Sequence, residues 1–365
     1  MAIEKLHIET FLQLAKQYPV LDVRSPGEYK HAHIPGAVNL PLFTDEERKI
    51  VGTAYKQNSR KTAIKIGLDF FGPKMRKMVE EVESLFNSQG LGDKNKSSQT
   101  LNPKTVLVHC WRGGMRSAGV AWLLDLYGFK VYTLVGGYKK FRHYALDTFT
   151  QPWQFKIIGG YTGSGKTEVL NELAQKNEPV IDLENLASHK GSAFGNLGMP
   201  PQPSQEMFEN LLATALQNTG MLTGIWLEDE SQRIGDINIP QALLLAMRKS
   251  PLWFIDIPFE ERLHHIVEWY GKQDKEKMIN AIVRIKKRLG GLETKTAVNY
   301  LIEENMIESF RVLLKYYDKW YLKSLQSREI QNKQMIKVEC DKVTAFVNAQ
   351  RLLTAPAASY EKIPG

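Results

Sequence analysis

Apolar residues in the first 150 positions fall into short runs, and stretches with helical spacing separate them. "YPVLDVRSPGEYKHAHIPGAVNLPLF" carries one run at Val20–Val23, a break at Pro26 and Gly27, and a second run at Ala37–Leu40. "TVLVHC" is apolar almost throughout, the pattern of a strand covered on both faces. "SAGVAWLLDLYGF" then repeats its apolar residues at helical spacing, with Gly128 placed to end the helix, and "KVYTLVGGY" supplies another strand. The alternation resumes further on, where "FKIIGG", "PVIDL", "GIWLED" and "PLWFIDIP" read as strands. From about Glu260 the pattern is helical, with basic and aromatic residues interleaved. Strands that alternate with helices predict an α/β protein with parallel sheets.

The stretch "HYALDTFTQPWQ" separates the two runs of alternation, so we expect domains at 1–145 and 146–354, followed by a flexible tail at 355–365. "NSQGLGDKNKSSQTLNP" is polar and Gly-rich and reads as a mobile surface loop inside the first domain. No internal repeat is visible. The 365 residues are 43% hydrophobic and 24% charged, the balance of an ordinary soluble protein of two domains. Two cysteines, Cys110 and Cys340, exclude a disulfide framework and point to a reducing compartment; Cys340 reads as structural. The N-terminus lacks a secretory pattern, and no apolar run approaches the ~20 residues of a membrane span. These features predict a cytoplasmic protein without a membrane partner. The net charge of +8 is a mild pointer to an anionic partner.

The apolar strand "TVLVHC" runs straight into "WRGGMRS". A loop between strand end and helix start converges backbone N–H groups on one point, and the helix adds its positive end. That arrangement lowers a thiol pKa and cradles an anion. The glycines let the backbone curl, while Arg112 and Arg116 add charge able to grip an oxyanion. Cys110 is therefore a candidate nucleophile, with Arg112 and Arg116 as its catalytic partners. Two chemistries share this geometry: cysteine phosphatases, which place an arginine six residues after the cysteine, and sulfurtransferases, which carry sulfur as a persulfide. His109 reads as a packing residue.

"GGYTGSGKT" follows the strand "FKII" and precedes the helix "TEVLNELAQK". Gly160, four intervening residues, then Gly165, Lys166 and Thr167 complete the Walker A pattern in its proper context. Backbone amides from Thr162 through Gly163, Ser164 and Gly165 to Lys166 would wrap a diphosphate. Lys166 would reach its outer oxygens, and Thr167 is the ligand for an accompanying Mg²⁺. The metal itself is not identified by the sequence. Four acids are candidates for the partner or metal-binding carboxylate: Asp182, Glu228, Asp229 and Asp256. His189, Lys190 and Ser192 lie in a Gly-containing loop at the edge of the sheet where ligands bind, and are assigned to substrate.

"LDVRSPGEYKHAHIPGAVNLP" resembles the rhodanese signature, with Asp22, Arg24, Glu28, Tyr29, His33, Ile34, Gly36 and Ala37 in order; "LVGGYKKF" resembles the stretch that closes a rhodanese domain. The commonest rhodanese loop is one residue shorter, which points to a cargo other than ordinary sulfane sulfur. A rhodanese unit ahead of a P-loop domain resembles the tRNA 2-selenouridine synthase family over roughly residues 5–350. "VGTAYKQNSRKTAIKIG", "DLENLASHKGSAFG", "PQPSQEMFENLL" and "IWLEDESQRIGDINIP" carry the same resemblance. It implies a rhodanese-like domain, then a P-loop NTPase-like α/β domain with a helical, basic C-terminal region.

As to activity, the resemblance implies that sulfur of 2-thiouridine at the tRNA wobble position is replaced by selenium. Geranyl diphosphate and selenophosphate are the implied co-substrates, the thiouridine is first S-geranylated, and Cys110 carries selenium as an S-selanyl intermediate. A selenophosphate-producing enzyme would be the supplier. Arg284, Lys286, Lys287 and Arg288 form a basic cluster suited to tRNA phosphates, while the aromatics of "FRVLLKYYDKWYLKSL" suit either base stacking or a buried face. Two rival readings stay open at this point. One is a rhodanese-type sulfurtransferase or cysteine phosphatase coupled to a nucleotide-binding domain. The other is a non-catalytic RNA-binding adaptor.

Overall fold

Five short strands build one parallel sheet in the first part of the chain. They are β1 (Glu4–Leu6), β2 (Val20–Asp22), β3 (Val38–Asn39), β4 (Thr105–His109) and β5 (Lys130–Leu134), in the order β1-β5-β4-β2-β3. The second part holds β6 (Phe155–Gly160), β7 (Ile225–Glu228), the antiparallel pair β8 (Arg233–Ile234) and β9 (Ile237–Asn238), then β10 (Leu252–Asp256) and β11 (Met335–Glu339). Its main sheet is parallel in the order β11-β10-β6-β7. The computed structural model describes residues 3–88, 104–220, 224–329 and 335–355. Most of the polar stretch 87–103 and the tail from 356 onward therefore lie outside the described residues. The chain divides into two units, Met1–Asp147 and Thr148–Gly365.

In the first unit every residue of β4 is buried, as the apolar run requires. Its Val106 and Val108 share a core with Leu21, Val23, Val120 and Leu124. Between β3 and β4 the described residues form three α-helices, Asp45–Gln57, Arg60–Phe71 and Met75–Ser88. Thr44 opens the first with a reciprocal cap: its hydroxyl accepts from the Glu47 amide, and Glu47 accepts from the Thr44 amide. Phe71, Val82 and Phe86 join these helices to the same core.

The second unit has two cores. One lies against the sheet, around Ile158, Val169, Leu170, Trp226, Ile255 and Val338. The other binds the C-terminal helices together through Leu263, Ile266, Ala281, Ile282, Phe310 and Leu313.

Two sequence expectations need correction. "PVIDL" is not a strand: Val180 makes a single bridge to Trp226, and Asp182 then accepts a hydrogen bond from the Asn185 amide at 2.7 Å. That cap starts the helix Leu183–Leu186 and ends the extended backbone. The helical C-terminal region also contains β11, which pairs with β10 from Leu252↔Met335 to Asp256↔Glu339. The run "MIKVE" was hidden among helix formers and is fixed by its neighbour in the sheet.

Candidate functional site

Both candidate loops leave the C-terminal ends of strands that have neighbours on both sides, the place where open α/β sheets bind ligands. In the first unit the loop 110–114 joins β4 to the helix Met115–Tyr127. Cys110 is only 3% exposed, and its Sγ lies 3.2 Å from the Ser117 Oγ. The Ser117 hydroxyl donates in turn to the Gly114 carbonyl at 3.1 Å. A hydroxyl with one proton can turn from that carbonyl to a thiolate, so Ser117 is placed to stabilise the ionised sulfur. This residue was read from the sequence only as the start of the helix.

The turn after β5 clasps the loop from behind. The Tyr138 amide donates to the Cys110 carbonyl at 2.8 Å, and the Lys139 amide donates to the Trp111 carbonyl at 2.9 Å. Gly113 and Gly137 both have positive φ, and their backbones touch. A Cβ on Gly137 would come within 2.2 Å of the Cys110 carbonyl oxygen, so no larger residue fits.

The two arginines differ. Arg116 Nη1 donates to Glu28 Oε2 at 2.8 Å, whereas Arg112 is exposed. Burial disfavours the Glu28 carboxylate, yet the Arg116 guanidinium beside it, helped by the Ser25 amide and Arg48, holds its pKa below the ordinary value. Glu28 of the upstream signature thus touches the charge at the start of the helix that follows the loop. The others brace the scaffold. Asp22 receives Arg24 at 2.6 Å inside the core, Arg24 lies over the Tyr138 ring at 3.8 Å, and the Tyr29 hydroxyl donates to the Ala37 carbonyl at 2.7 Å. His109 is fully buried; burial pushes its pKa down to about 4, so it is a neutral packing residue.

In the second unit, β6 ends in the loop 161–165 and the helix Lys166–Gln175. Lys166 Nζ donates to the Gly160 carbonyl at 2.9 Å, and the Ser164 hydroxyl donates to the Tyr161 carbonyl at 2.6 Å. Gly160, Gly163 and Gly165 all have positive φ. Gly160, Thr162, Gly163, Ser164, Gly165, Lys166 and Thr167 line a cavity of about 360 Å³ together with Lys190, Ser192 and Asp229.

Sequence reasoning missed much of this cavity's frame. Arg262, 3% exposed, donates to the Thr162 carbonyl at 3.0 Å and pairs with Asp318 at 2.8 Å. The Tyr321 hydroxyl accepts from the Gly160 amide at 3.1 Å and donates to Asp229 at 2.9 Å. It also missed Glu184 and Glu230, which line the cavity and hydrogen-bond to each other. Burial raises both pKa values, with Lys166 opposing. Thr167 donates to Glu184 at 3.2 Å.

Of the four acids named from sequence, only Asp229 reaches the cavity, where Arg248 holds it at 3.0 Å. Glu228 is fully buried and accepts from the Leu183 amide at 3.0 Å; burial, reinforced by Asp182, raises its pKa well above the usual carboxylate range. Asp182 is a helix cap, and Asp256 pairs with Lys337 at 3.0 Å. Among the described residues, no group of three or more His, Cys, Asp or Glu side chains is placed to hold a metal ion.

Lys190 lies over the Trp269 ring, while His189 stays outside the cavity lining. Burial lowers the pKa of both. Arg284, Lys286, Lys287 and Arg288 are all exposed, but a break at Ile285 divides them between the helices Lys275–Arg284 and Lys286–Leu289. Among the described residues no helix is long and apolar enough to cross a membrane.

The family model "Rhodanese-like domain" matches residues 8–144, and "tRNA 2-selenouridine synthase AAA domain" matches residues 153–353. The tRNA 2-selenouridine synthase of Bdellovibrio bacteriovorus is 33% identical, covering 90% of this chain and 95% of the relative. That of Nitrosomonas europaea is 31% identical, covering 86% and 90%. That of Hydrogenovibrio crunogenus is 36% identical, covering 76% and 77%.

Proposed function

The chain belongs to the tRNA 2-selenouridine synthase family, and from that membership we propose that it exchanges sulfur for selenium in 2-thiouridine at the tRNA wobble position. The reaction consumes geranyl diphosphate and selenophosphate, and releases diphosphate and geranyl thiol. It would take place in the cytoplasm, with a selenophosphate-producing enzyme as supplier. What carries this reading is the pairing, in one chain of this family, of a thiol loop with a phosphate loop whose cavity also offers aromatic surface.

In the first step the thiouridine sulfur attacks C1 of geranyl diphosphate, the C–O bond breaks, and the base loses its N3 proton. Lys166 and the amides of 162–166 stabilise the departing diphosphate, with Thr167 contributing to any accompanying Mg²⁺. Alkylation converts a poor leaving group into a thiol that selenium can displace from the pyrimidine carbon. In the second step Cys110 receives selenium as an S-selanyl group, while Arg112 and the loop amides hold the phosphate portion and Arg116 exchanges Glu28 for it. Attack of the thiolate on selenium breaks the Se–P bond and leaves the electron pair on phosphorus as phosphite. The S-selanyl selenium then displaces geranyl thiol from the pyrimidine carbon. An added thiol reductant supplies the two electrons that cleave the remaining Se–S bond, freeing selenouridine and Cys110. Direct displacement by selenophosphate, followed by water, gives phosphate instead. Arg284, Lys286, Lys287 and Arg288 would hold tRNA phosphates, and Lys190 and Ser192 would face the substrate.

The test is to incubate the protein with 2-thiouridine-containing tRNA and each co-substrate, singly and together, and to weigh the nucleosides. S-geranyl product with geranyl diphosphate alone, and selenouridine with both, is the expected result. Unchanged thiouridine in every mixture would sink the proposal. Phosphorus NMR of the same mixtures separates phosphite from phosphate.

A further inference from the structure

The cavity at Lys166 has two unlike sides. One is the backbone of the phosphate loop; the other is built by Ile266, Trp269, Tyr270, Tyr317 and Trp320 from the helices Phe259–Tyr270 and Met306–Glu329. The two sides meet, since a Cβ on Gly163 would lie 2.5 Å from Ile266 Cδ1. Apolar surface therefore begins where the phosphates end.

The tyrosine hydroxyls at this wall are already engaged. The Tyr317 hydroxyl accepts from the Ala193 amide at 3.3 Å, the neighbouring Tyr321 hydroxyl is held by Gly160 and Asp229, and the Tyr270 hydroxyl bonds to Ser192. The wall consequently presents mainly ring surface, with the tyrosine hydroxyls turned to the protein. Lys190 Nζ lies 2.9 Å from the centroid of the Trp269 ring, so an amine already rests against this ring face. A cavity of about 360 Å³ is near the small end of the ~300–1,000 Å³ range of ligand pockets.

We propose that this wall seats the hydrocarbon chain of an allylic diphosphate, and that Trp269 and Trp320 set the chain length accepted. The inference rests on reading the cavity as a prenyl diphosphate site, and adds which side chains select the substrate. When the C1–O bond breaks, its electron pair leaves with the diphosphate toward Lys166 and positive charge develops on the allylic carbons. The ring faces stabilise that charge until the sulfur–carbon bond forms. Ile266 is 6% exposed and fixes the start of the chain's path, whereas Trp269 and Trp320 are 42% and 46% exposed and stand at its open end. Their truncation lengthens the groove without emptying the core.

Calorimetry on the full chain would compare inorganic diphosphate with dimethylallyl, geranyl and farnesyl diphosphates and with ATP. Wild type is expected to favour geranyl over dimethylallyl diphosphate by about tenfold or more. Trp269→Ala and Trp320→Ala should each cut that preference about tenfold and raise farnesyl relative to geranyl. Inorganic diphosphate binding and the melting temperature should stay at wild-type values. If wild type discriminates chain length and neither variant alters it, the assignment of the wall is wrong while the prenyl site stands. If geranyl diphosphate binds no better than inorganic diphosphate, the underlying reading fails along with it. Loss of ATP binding in the two variants, with geranyl binding intact, would give the wall to a base and overturn the proposal.

Discussion

The thiol loop and the phosphate loop share a ground plan of strand, glycine turn and helix, but they are held in different ways. The thiol loop is clasped by backbone: amides of Tyr138 and Lys139 close on its carbonyls, and Gly113 packs directly on Gly137. The phosphate loop is held by side chains from far along the chain, with Arg262 on the Thr162 carbonyl and Tyr321 on the Gly160 amide. Its walls are rings and ionisable groups. A loop that must position one sulfur is set by steric fit, whereas a loop that must receive a charged, extended substrate is framed by groups with room between them.

The largest expected effects separate the two loops by product. Cys110→Ser should remove selenium incorporation by about a thousandfold or more while leaving S-geranylation intact. Lys166→Ala should slow geranylation by ~10²–10³ through weaker stabilisation of the leaving diphosphate. Nucleoside mass spectrometry reads both. Because geranylation comes first, Lys166→Ala should lower both products on thiouridine tRNA yet still selenate tRNA that is already S-geranylated. Failure there, or loss of geranylation in Cys110→Ser, would break the division of labour.

A smaller effect tests the buried frame of the thiol loop. His109 has a folded pKa of about 4, below the ~6.5 of an unfolded histidine, so the unfolded chain takes up the proton first. Stability should fall as pH drops from about 6.5 to about 4, by up to ~3 kcal/mol, and level off below. His109→Phe should flatten that window in pH-dependent melting, and an unchanged profile would show that the acid sensitivity lies elsewhere.

The smallest effect concerns Glu28, whose side chain and that of Arg116 are 17% and 23% exposed. Its folded pKa is lowered, so its contribution is present above the ordinary carboxylate value and is lost as pH falls through the lowered one. Glu28→Gln should cost ~1 kcal/mol at neutral pH and nothing in strong acid, as measured by urea unfolding at the two pH values. A cost that persisted in acid would assign Glu28 a packing role instead of a hold on Arg116.

These contrasts also explain what the sequence discloses. Cys110 with its glycines and "GGYTGSGKT" are legible because a backbone cradle must be built from adjacent residues. The parallel sheets are legible because buried strands leave unbroken apolar runs. Arg262, Tyr321 and the Glu184–Glu230 pair are not, because each acts on the phosphate loop or its cavity from a different element and sits in an unexceptional local string. Asp182 and Asp256 looked like Glu228 and Asp229 at strand ends, and only the packing separates a helix cap and a surface ion pair from the acids near the cavity. The order of the upstream signature was readable, but the contact of Glu28 with Arg116 emerges only when the loop is folded beside it. The aromatics of the helix Met306–Glu329 took neither reading outright: Tyr317 and Tyr321 are half-buried, Trp320 is exposed, and all three face one cavity.

The contact of Gly113 with Gly137 has a consequence for how such a chain can change by descent or by design. A methyl group at 113 would come within 2.4 Å of the Leu134 carbonyl oxygen, and one at 137 within 2.2 Å of that of Cys110. Each glycine thus vetoes substitution at its own position unless the opposite segment moves as well. A thiol loop of another shape is reached only through concerted revision of two stretches that lie apart in the sequence. The rim of the other cavity carries no such lock, and its tryptophans can be exchanged one at a time. On the proposed reading, novelty in the hydrocarbon accepted is a single step away, while novelty in the carried element is at least two.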